Sequence, residues 1–303
     1  MKLWLNKISI TDLLNIILLL ILFVFYVFAV SNSPYKWQPL VVFAIAFSLV
    51  IWSIKIRNKK KRSYIVNVIL AFYPLLFLFI AFESFFMILP WFNSHDYDYE
   101  LAAIDLKILG VNPTVWIEHF IKPWLTDIMY IIYIFYFPLP WFLLIWLAKK
   151  RKYSELDKSV FILLLTYYIG YIGYFIFPAM GPRFYEPIIH LQQKQLNGII
   201  FAQPIRNLIM IFEPNKFDAF PSLHAAVSLS TLLLMKKYNK MQFYIFLPIV
   251  IGIYIAVIYC RYHYFIDIIA GVIVSLIAYL GGKKIHTLAF KKYFIPYYKL
   301  NDV

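Results

Sequence analysis

The stretch Arg261-Tyr-His263-Tyr-Phe-Ile-Asp267 lies between two apolar runs, Phe243 to Tyr259 and Ile268 to Leu280. An arginine, a histidine and an aspartate set this closely among hydrocarbon side chains are costly to desolvate, so each is expected to be paired or to carry chemistry. His263 and Asp267 are four apart, which puts them on one helix face, where a carboxylate can orient an imidazole. The flanking runs approach the ~20 residues of a membrane-crossing helix. They set the expected fold class: all-α, a polytopic membrane helix bundle.

Composition points the same way. The chain has 303 residues, is 63% hydrophobic and only 15% charged, well outside the usual globular range. Its formal net charge of +14 would suggest nucleic-acid binding in a soluble protein. Here the basic residues cluster between apolar runs, so they are read as topology determinants, and no nucleic-acid partner is expected. The 29 Phe and 25 Tyr suit a lipid-facing surface. A single cysteine, Cys260, rules out an intramolecular disulfide. No cysteine–histidine cluster has zinc-like spacing, and no cofactor is expected.

Runs of nearly spanning length occur at Leu13–Val30, Pro39–Ile56, Tyr64–Leu89, Ile128–Leu147, Val160–Pro178, Pro221–Met235, Phe243–Tyr259 and Phe265–Leu280. They predict about eight transmembrane helices in one integral membrane domain, residues 1–303. Ala29-Val-Ser31 is a passable signal-cleavage site, but the first run exceeds the ~7–15 residues of a signal h-region, so an uncleaved helix is expected. Lys2 and Lys7, Arg57 to Arg62, Lys149 to Lys152, Lys236, Lys237 and Lys240, and the tail from Lys283 to Lys299 fall on alternate connections. The other connections carry Asp96, Asp98, Glu100, Asp105, Glu118 and Asp127, then Glu186, Glu213 and Asp218. The positive-inside rule therefore predicts cytoplasmic termini, with His224, His263 and the Met180–Ala219 loop on the extracytoplasmic side. That loop is read as a cap over a site. A weakly amphipathic part of the Trp91–Trp124 loop, Leu101 to Ile121, is expected along the membrane surface.

Three clusters share the predicted outer face: Gly181-Pro-Arg183, Pro221-Ser222-Leu-His224 and Arg261 to Asp267. Two guanidiniums, two imidazoles and a carboxylate make a phosphate-handling set. Arginine offers permanently charged planar donors, and histidine serves as nucleophile or general acid near neutrality. Pro221-Ser222 reads as a helix N-terminus, whose free N–H groups favour an anion. A helix N-terminal position for His263 is expected to lower its pKa and keep it neutral.

Phe-Pro221-Ser-Leu-His224 and His263-Tyr-Phe-Ile-Asp267-Ile-Ile-Ala-Gly271 resemble the second and third signatures of the type-2 phosphatidic acid phosphatase superfamily, usually Pro-Ser-Gly-His and Ser-Arg-x5-His-x3-Asp. The Leu before His224, Phe175-Ile-Phe-Pro178, Gly181-Pro-Arg183 and the segment Ile104-Asp105 to Gly110-Val-Asn-Pro113 are similar to the inositol phosphorylceramide synthase branch. Coverage is roughly Asp105 to Gly271. Two departures stand out. The first signature, Lys-x6-Arg-Pro, has no clear match, since Ile176 stands where its Lys would fall and Pro182 precedes Arg183. Val257 stands six residues before His263, where the family has Arg, and Arg261 is the nearer charge.

The resemblance implies a six-helix phosphatase-like core with residues 101–282 as the catalytic region. It implies that His263 attacks phosphorus to form a phosphohistidine and that Asp267 fixes its tautomer. His224 then protonates the leaving oxygen and activates the acceptor. Arg183, Arg261 and Ser222 bind the phosphate, and no metal takes part. The partners implied are membrane lipids and a phospholipid or lipid-phosphate substrate; no protein partner is indicated. Hydrolysis and transfer to an alcohol remain open, as does the alternative of a transporter for phosphorylated solutes. A satisfied structural His–Asp pair is the plain reading of His263 and Asp267. Arg206, Lys194 and Lys216 are expected to serve headgroups or solvent. His95, His119 and His190 read as surface loop residues, and Glu83, inside the third run, is expected to pair within the bundle.

Overall fold

The computed structural model describes residues 8–29, 38–57, 59, 62–212 and 216–292. Lys2, Lys7, Lys60, Lys61, Glu213, the Val30-Ser31 part of the cleavage motif and the tail past residue 292 lie outside the described residues. Among the described residues all regular structure is helical. Among the described residues six helices are long and apolar enough to cross a membrane, and a bent pair makes up to seven.

The described residues fall into two compact units. The first draws on residues 1–92, 144–171 and 278–303. It contains α1 (Ile10–Ala29), α2 (Gln38–Arg57), and α3 (Tyr64–Phe72), which runs through a 3₁₀ turn at Tyr73–Leu75 into α4 (Leu76–Phe92). Pro74 lies in the turn and cannot donate to the helix ladder, which accounts for the break between α3 and α4. The polar residues of this unit find one another. Arg57 Nε lies 3.2 Å from Asp12 Oδ2, and Arg57 Nη2 donates to the Leu70 carbonyl. The Tyr73 hydroxyl bonds Asp12 and Ser53. The Tyr168 hydroxyl donates to Asn15, and His286 Nε2 lies 3.0 Å from Asp157. Glu83, by contrast, stands exposed on α4, against the expectation that it pairs inside the bundle.

The second unit comprises residues 93–143 and 172–277. Here α5 (Asp98–Leu109) ends at Gly110, whose φ of 72° supplies the left-handed cap. Then follow α6 (Pro113–Trp116), a 3₁₀ turn at Ile117–Phe120, and the pair α7 (Pro123–Ile134) and α8 (Leu139–Lys149), bent by 44°. The Ile128–Leu147 run is therefore a broken helix. The amphipathic reading of Leu101–Ile121 resolves into α5, α6 and the 3₁₀ turn, where Leu106, Ile108, Trp116 and Phe120 are exposed. Next in chain order come α9 (Tyr153–Ile176), which belongs to the first unit as far as Tyr171, the single turn α10 (Glu186–Ile189) and α11 (Ala202–Phe212). α12 (Leu223–Tyr238), α13 (Lys240–Tyr259) and α14 (Phe265–Lys292) complete the chain. The run read as Pro221–Met235 is the 16-residue α12, capped by Ser222, whose Oγ accepts from Ala225 N. At Gly271 a Cβ would meet the Ser222 carbonyl at 2.4 Å, so α14 crosses the start of α12 with the two backbones nearly touching.

The turn between α13 and α14 is a Schellman motif. Tyr262 N donates to the Val257 carbonyl and Arg261 N to that of Ile258. The left-handed position falls on Arg261, at φ 65°, where glycine is the usual occupant. The start of α14 is capped from outside: Asp105 Oδ2 and Oδ1 accept from Phe265 N and Ile266 N at 2.7 and 2.9 Å.

Two stability predictions follow from these contacts. Asp105→Ala removes a buried cap and is expected to cost ~1–2 kcal/mol in detergent-solubilised protein, read by thermal unfolding, with Asp105→Asn losing less. Asp12→Ala leaves the buried Arg57 guanidinium without its carboxylate and is expected to cost ~3–5 kcal/mol. Adding Arg57→Met is expected to recover most of that loss.

Candidate active site

Ser222, His224, His263 and Asp267 come together where α12 begins and α14 begins. All four are buried. Ser222 N donates to the Asp267 carbonyl at 3.0 Å, tying the two helix starts. His263 Nδ1 lies 2.8 Å from the Ala219 carbonyl and 3.3 Å from Asp267 Oδ2. A carbonyl only accepts, so Nδ1 carries the proton and Nε2 presents a lone pair. That Nε2 is 3.4 Å from His224 Nδ1. The backbone carbonyl thus makes the shorter contact to His263, and Asp267 divides itself, its Oδ2 also accepting from Tyr264 N at 2.8 Å.

Burial pushes the His263 pKa down to about 4, against a smaller opposing pull from Asp218 and the Ala219 carbonyl. The direction matches the sequence expectation, but its first cause is desolvation and not the helix terminus. Asp218 is pushed up to about 6 by the same burial, and His263 draws it back.

His224 sits between aromatic rings. Tyr133 and Tyr136 each lie 4.3 Å from it, centroid to centroid, and its Nε2 is buried without a hydrogen bond. Tyr133 also stacks on Tyr262 at 4.5 Å. The Tyr262 hydroxyl accepts from Arg183 Nη1 at 2.5 Å. Arg183 is therefore linked to the imidazoles through two stacked tyrosines. Arg261 is directed elsewhere: its Nη2 pairs with Glu118 Oε1 and the Lys194 carbonyl, both at 2.6 Å.

The sequence reading assigned no role to the carboxylates that build this site. Asp98 accepts from Met180 N, Gly181 N and the Tyr264 hydroxyl, and its burial pushes it up to about 7. Gly181, at φ 85°, packs so closely that a Cβ would meet the Tyr262 carbonyl at 2.3 Å. Glu118 Oε2 accepts from Gln193 N and Lys194 N. Asp127 accepts from Ile199, Ile200, Phe201 and Ala202, capping α11. Acidic residues between apolar neighbours were the available signal, but charge counting read them only as outer-face markers. The surface reading of His95 and His190 holds, since both are exposed, 3.1 and 3.4 Å from the carboxylates of Glu100 and Glu186. Lys194 Nζ instead bonds the Glu118 carbonyl. Among the described residues no group of three or more His, Cys, Asp or Glu is arranged to hold a metal ion.

The geometry offers a desolvated imidazole lone pair facing a second imidazole, a pairing suited to nucleophilic attack with proton transfer. Two relatives carry names in keeping with such a site. One is a PA-phosphatase related-family protein of Dictyostelium discoideum, 32% identical over 142 residues, or 46% of this chain and 25% of that protein. The other is a phosphoinositol dihydroceramide synthase of Bacteroides thetaiotaomicron, 30% identical over 186 residues, or 56% of this chain and 60% of that protein. The chain thus spans a quarter of one relative and three fifths of the other. No solved structure gives a significant match. The PAP2 superfamily pattern matches residues 100–281, more than half of the whole. On that coverage, the chain belongs to the PAP2 superfamily.

Proposed function

We propose that the protein is an integral membrane phosphotransferase or phosphatase that acts on a lipid-linked phosphate through a phosphohistidine on His263, in the manner of an inositol phosphorylceramide synthase. The observation that carries this reading is the 3.4 Å approach of His263 Nε2 to His224 Nδ1, with Nδ1 of His263 held by Ala219 and Asp267. PAP2 membership and the synthase-named relative support the same chemistry.

Phosphorus enters between the two rings. His263 Nε2 forms the P–N bond as the P–O bond to the leaving group breaks, and the His224 imidazolium gives that oxygen its proton. Neutral His224 then takes the proton of the acceptor hydroxyl. The acceptor oxygen bonds phosphorus and His263 departs. Water as acceptor makes the reaction a hydrolysis, and a lipid or headgroup alcohol makes it a transfer. Ser222 and the opening amides of α12 supply donors for the phosphate oxygens, and Arg183 adds fixed positive charge. Arg261 joins them on exchanging Glu118 for phosphate. The catalytic region is 101–282 within one membrane domain. Charge asymmetry supports cytoplasmic termini and an outward-facing site.

Three outcomes are expected. His263→Ala abolishes phosphate release from a lipid phosphate, and normal turnover in that variant would sink the mechanism. Labelled phospholipid supplied with and without inositol or a ceramide-like alcohol separates transfer from hydrolysis, and EDTA leaves either rate unchanged. With folded His263 near 4 and the unfolded side chain at 6.5, the unfolded chain binds more protons between those values. Stability therefore falls as pH drops through that window, and His263→Gln flattens the slope.

A further inference from the structure

Arg206 was expected to serve headgroups or solvent; α11 places it against a tyrosine ring and a backbone carbonyl. Asp127, on α7, accepts from four successive N–H groups, Ile199 to Ala202, that lead into α11. Three residues along α7 stands Tyr130, and four residues into α11 stands Arg206, whose Cζ lies 5.3 Å from the Tyr130 ring centroid. One further step of three along α7 is Tyr133, whose stacking partner Tyr262 holds Arg183 by its hydroxyl. Residues three apart share a helix face, so Arg206 lies on one ring of this row, Tyr130, and Arg183 is held by Tyr262, which stacks on the next, Tyr133. That row continues at Tyr136, against His224.

Arg261 closes the group. Its Nη2 binds the Lys194 carbonyl, and Arg206 Nη2 binds the Leu196 carbonyl two residues on at 2.5 Å. Burial raises the Cys260 thiol, and the charges of Arg206, Arg183 and Arg261 oppose that rise. Among the described residues only Arg261 of the three has a carboxylate partner, Glu118. Arg206 also keeps a buried Nε without a hydrogen bond. Cationic groups drawn partly out of water and left without a counter-charge are costly, and an anion between them offsets that cost.

We propose that Arg183 and Arg206 form a paired guanidinium site for a phosphate group, walled by Tyr130 and Tyr262 and joined to His224 through the Tyr262–Tyr133 stack. Arg206 is a binding residue that no sequence signature marks. The inference rests on the reading of the histidine pair as a phosphoryl-transfer centre. The phosphate is either the one attacked by His263 or a second one on the substrate headgroup.

The test uses the full chain in detergent with orthophosphate as probe and two lipids, one with a single phosphate and one with a second phosphate on its headgroup. In Arg206→Ala, orthophosphate inhibition and the KM for both lipids weakening about tenfold or more assigns the site to the attacked phosphate. A tenfold fall confined to kcat/KM of the two-phosphate lipid, relative to the other, assigns it to the headgroup. Wild-type values throughout overturn the proposal. Arg206→Lys, which keeps the charge but not the fork, is expected to recover only part of the loss. Orthophosphate binding to His263→Ala, weakened by adding Arg206→Ala, reads the site without turnover. Failure of the catalytic reading would show instead as turnover surviving in His263→Ala.

Discussion

Buried carboxylates accepting backbone N–H groups hold this site together. Asp98, Asp105, Glu118 and Asp127 each leave water to bind main-chain donors of a segment distant in sequence. Each satisfies donors that a loop or helix start would otherwise leave unpaired in an apolar setting. Each also fixes where the following side chain goes. Asp98 sets the Met180-Gly181 turn before Arg183, Asp105 sets the start of the helix bearing Asp267, and Asp127 sets the helix bearing Arg206. Where these carboxylates lie, the cap and the helix starts follow.

On that frame the histidine pair acquires its character from desolvation. Burial disfavours the charged imidazole and drives His263 down, leaving a neutral ring with its proton on the side of Ala219 and Asp267. Local hydrogen bonding then decides which nitrogen is bare. The carbonyl of Ala219 shares that task with Asp267, so tautomer control is divided between main chain and side chain.

The helices were legible because a run of apolar residues has only one way to satisfy its backbone in hydrocarbon. So were Ser222, His224, His263 and Asp267, whose spacing places them at two helix starts. The direction of the arginines was not legible. Arg261 lies two residues from His263, and proximity in sequence suggested proximity in action. The left-handed Schellman position turns its side chain to Glu118 instead. Arg206 looked like a surface residue because nothing local reveals that α11 is pinned by Asp127. Glu83 could not be placed by a rule that treats every intramembrane charge as paired.

Gly271 has a consequence for how the enzyme lives in a bilayer. With no Cβ to hold them apart, α12 and α14 meet backbone to backbone at Ser222. Membranes of different thickness are accommodated by tilting whole helices. Two helix starts locked at one contact shift as one body, with His224 on α12 and His263 just ahead of α14. The spacing of the two imidazoles is thereby less sensitive to the lipid around them, and a bulkier residue at position 271 would disturb it.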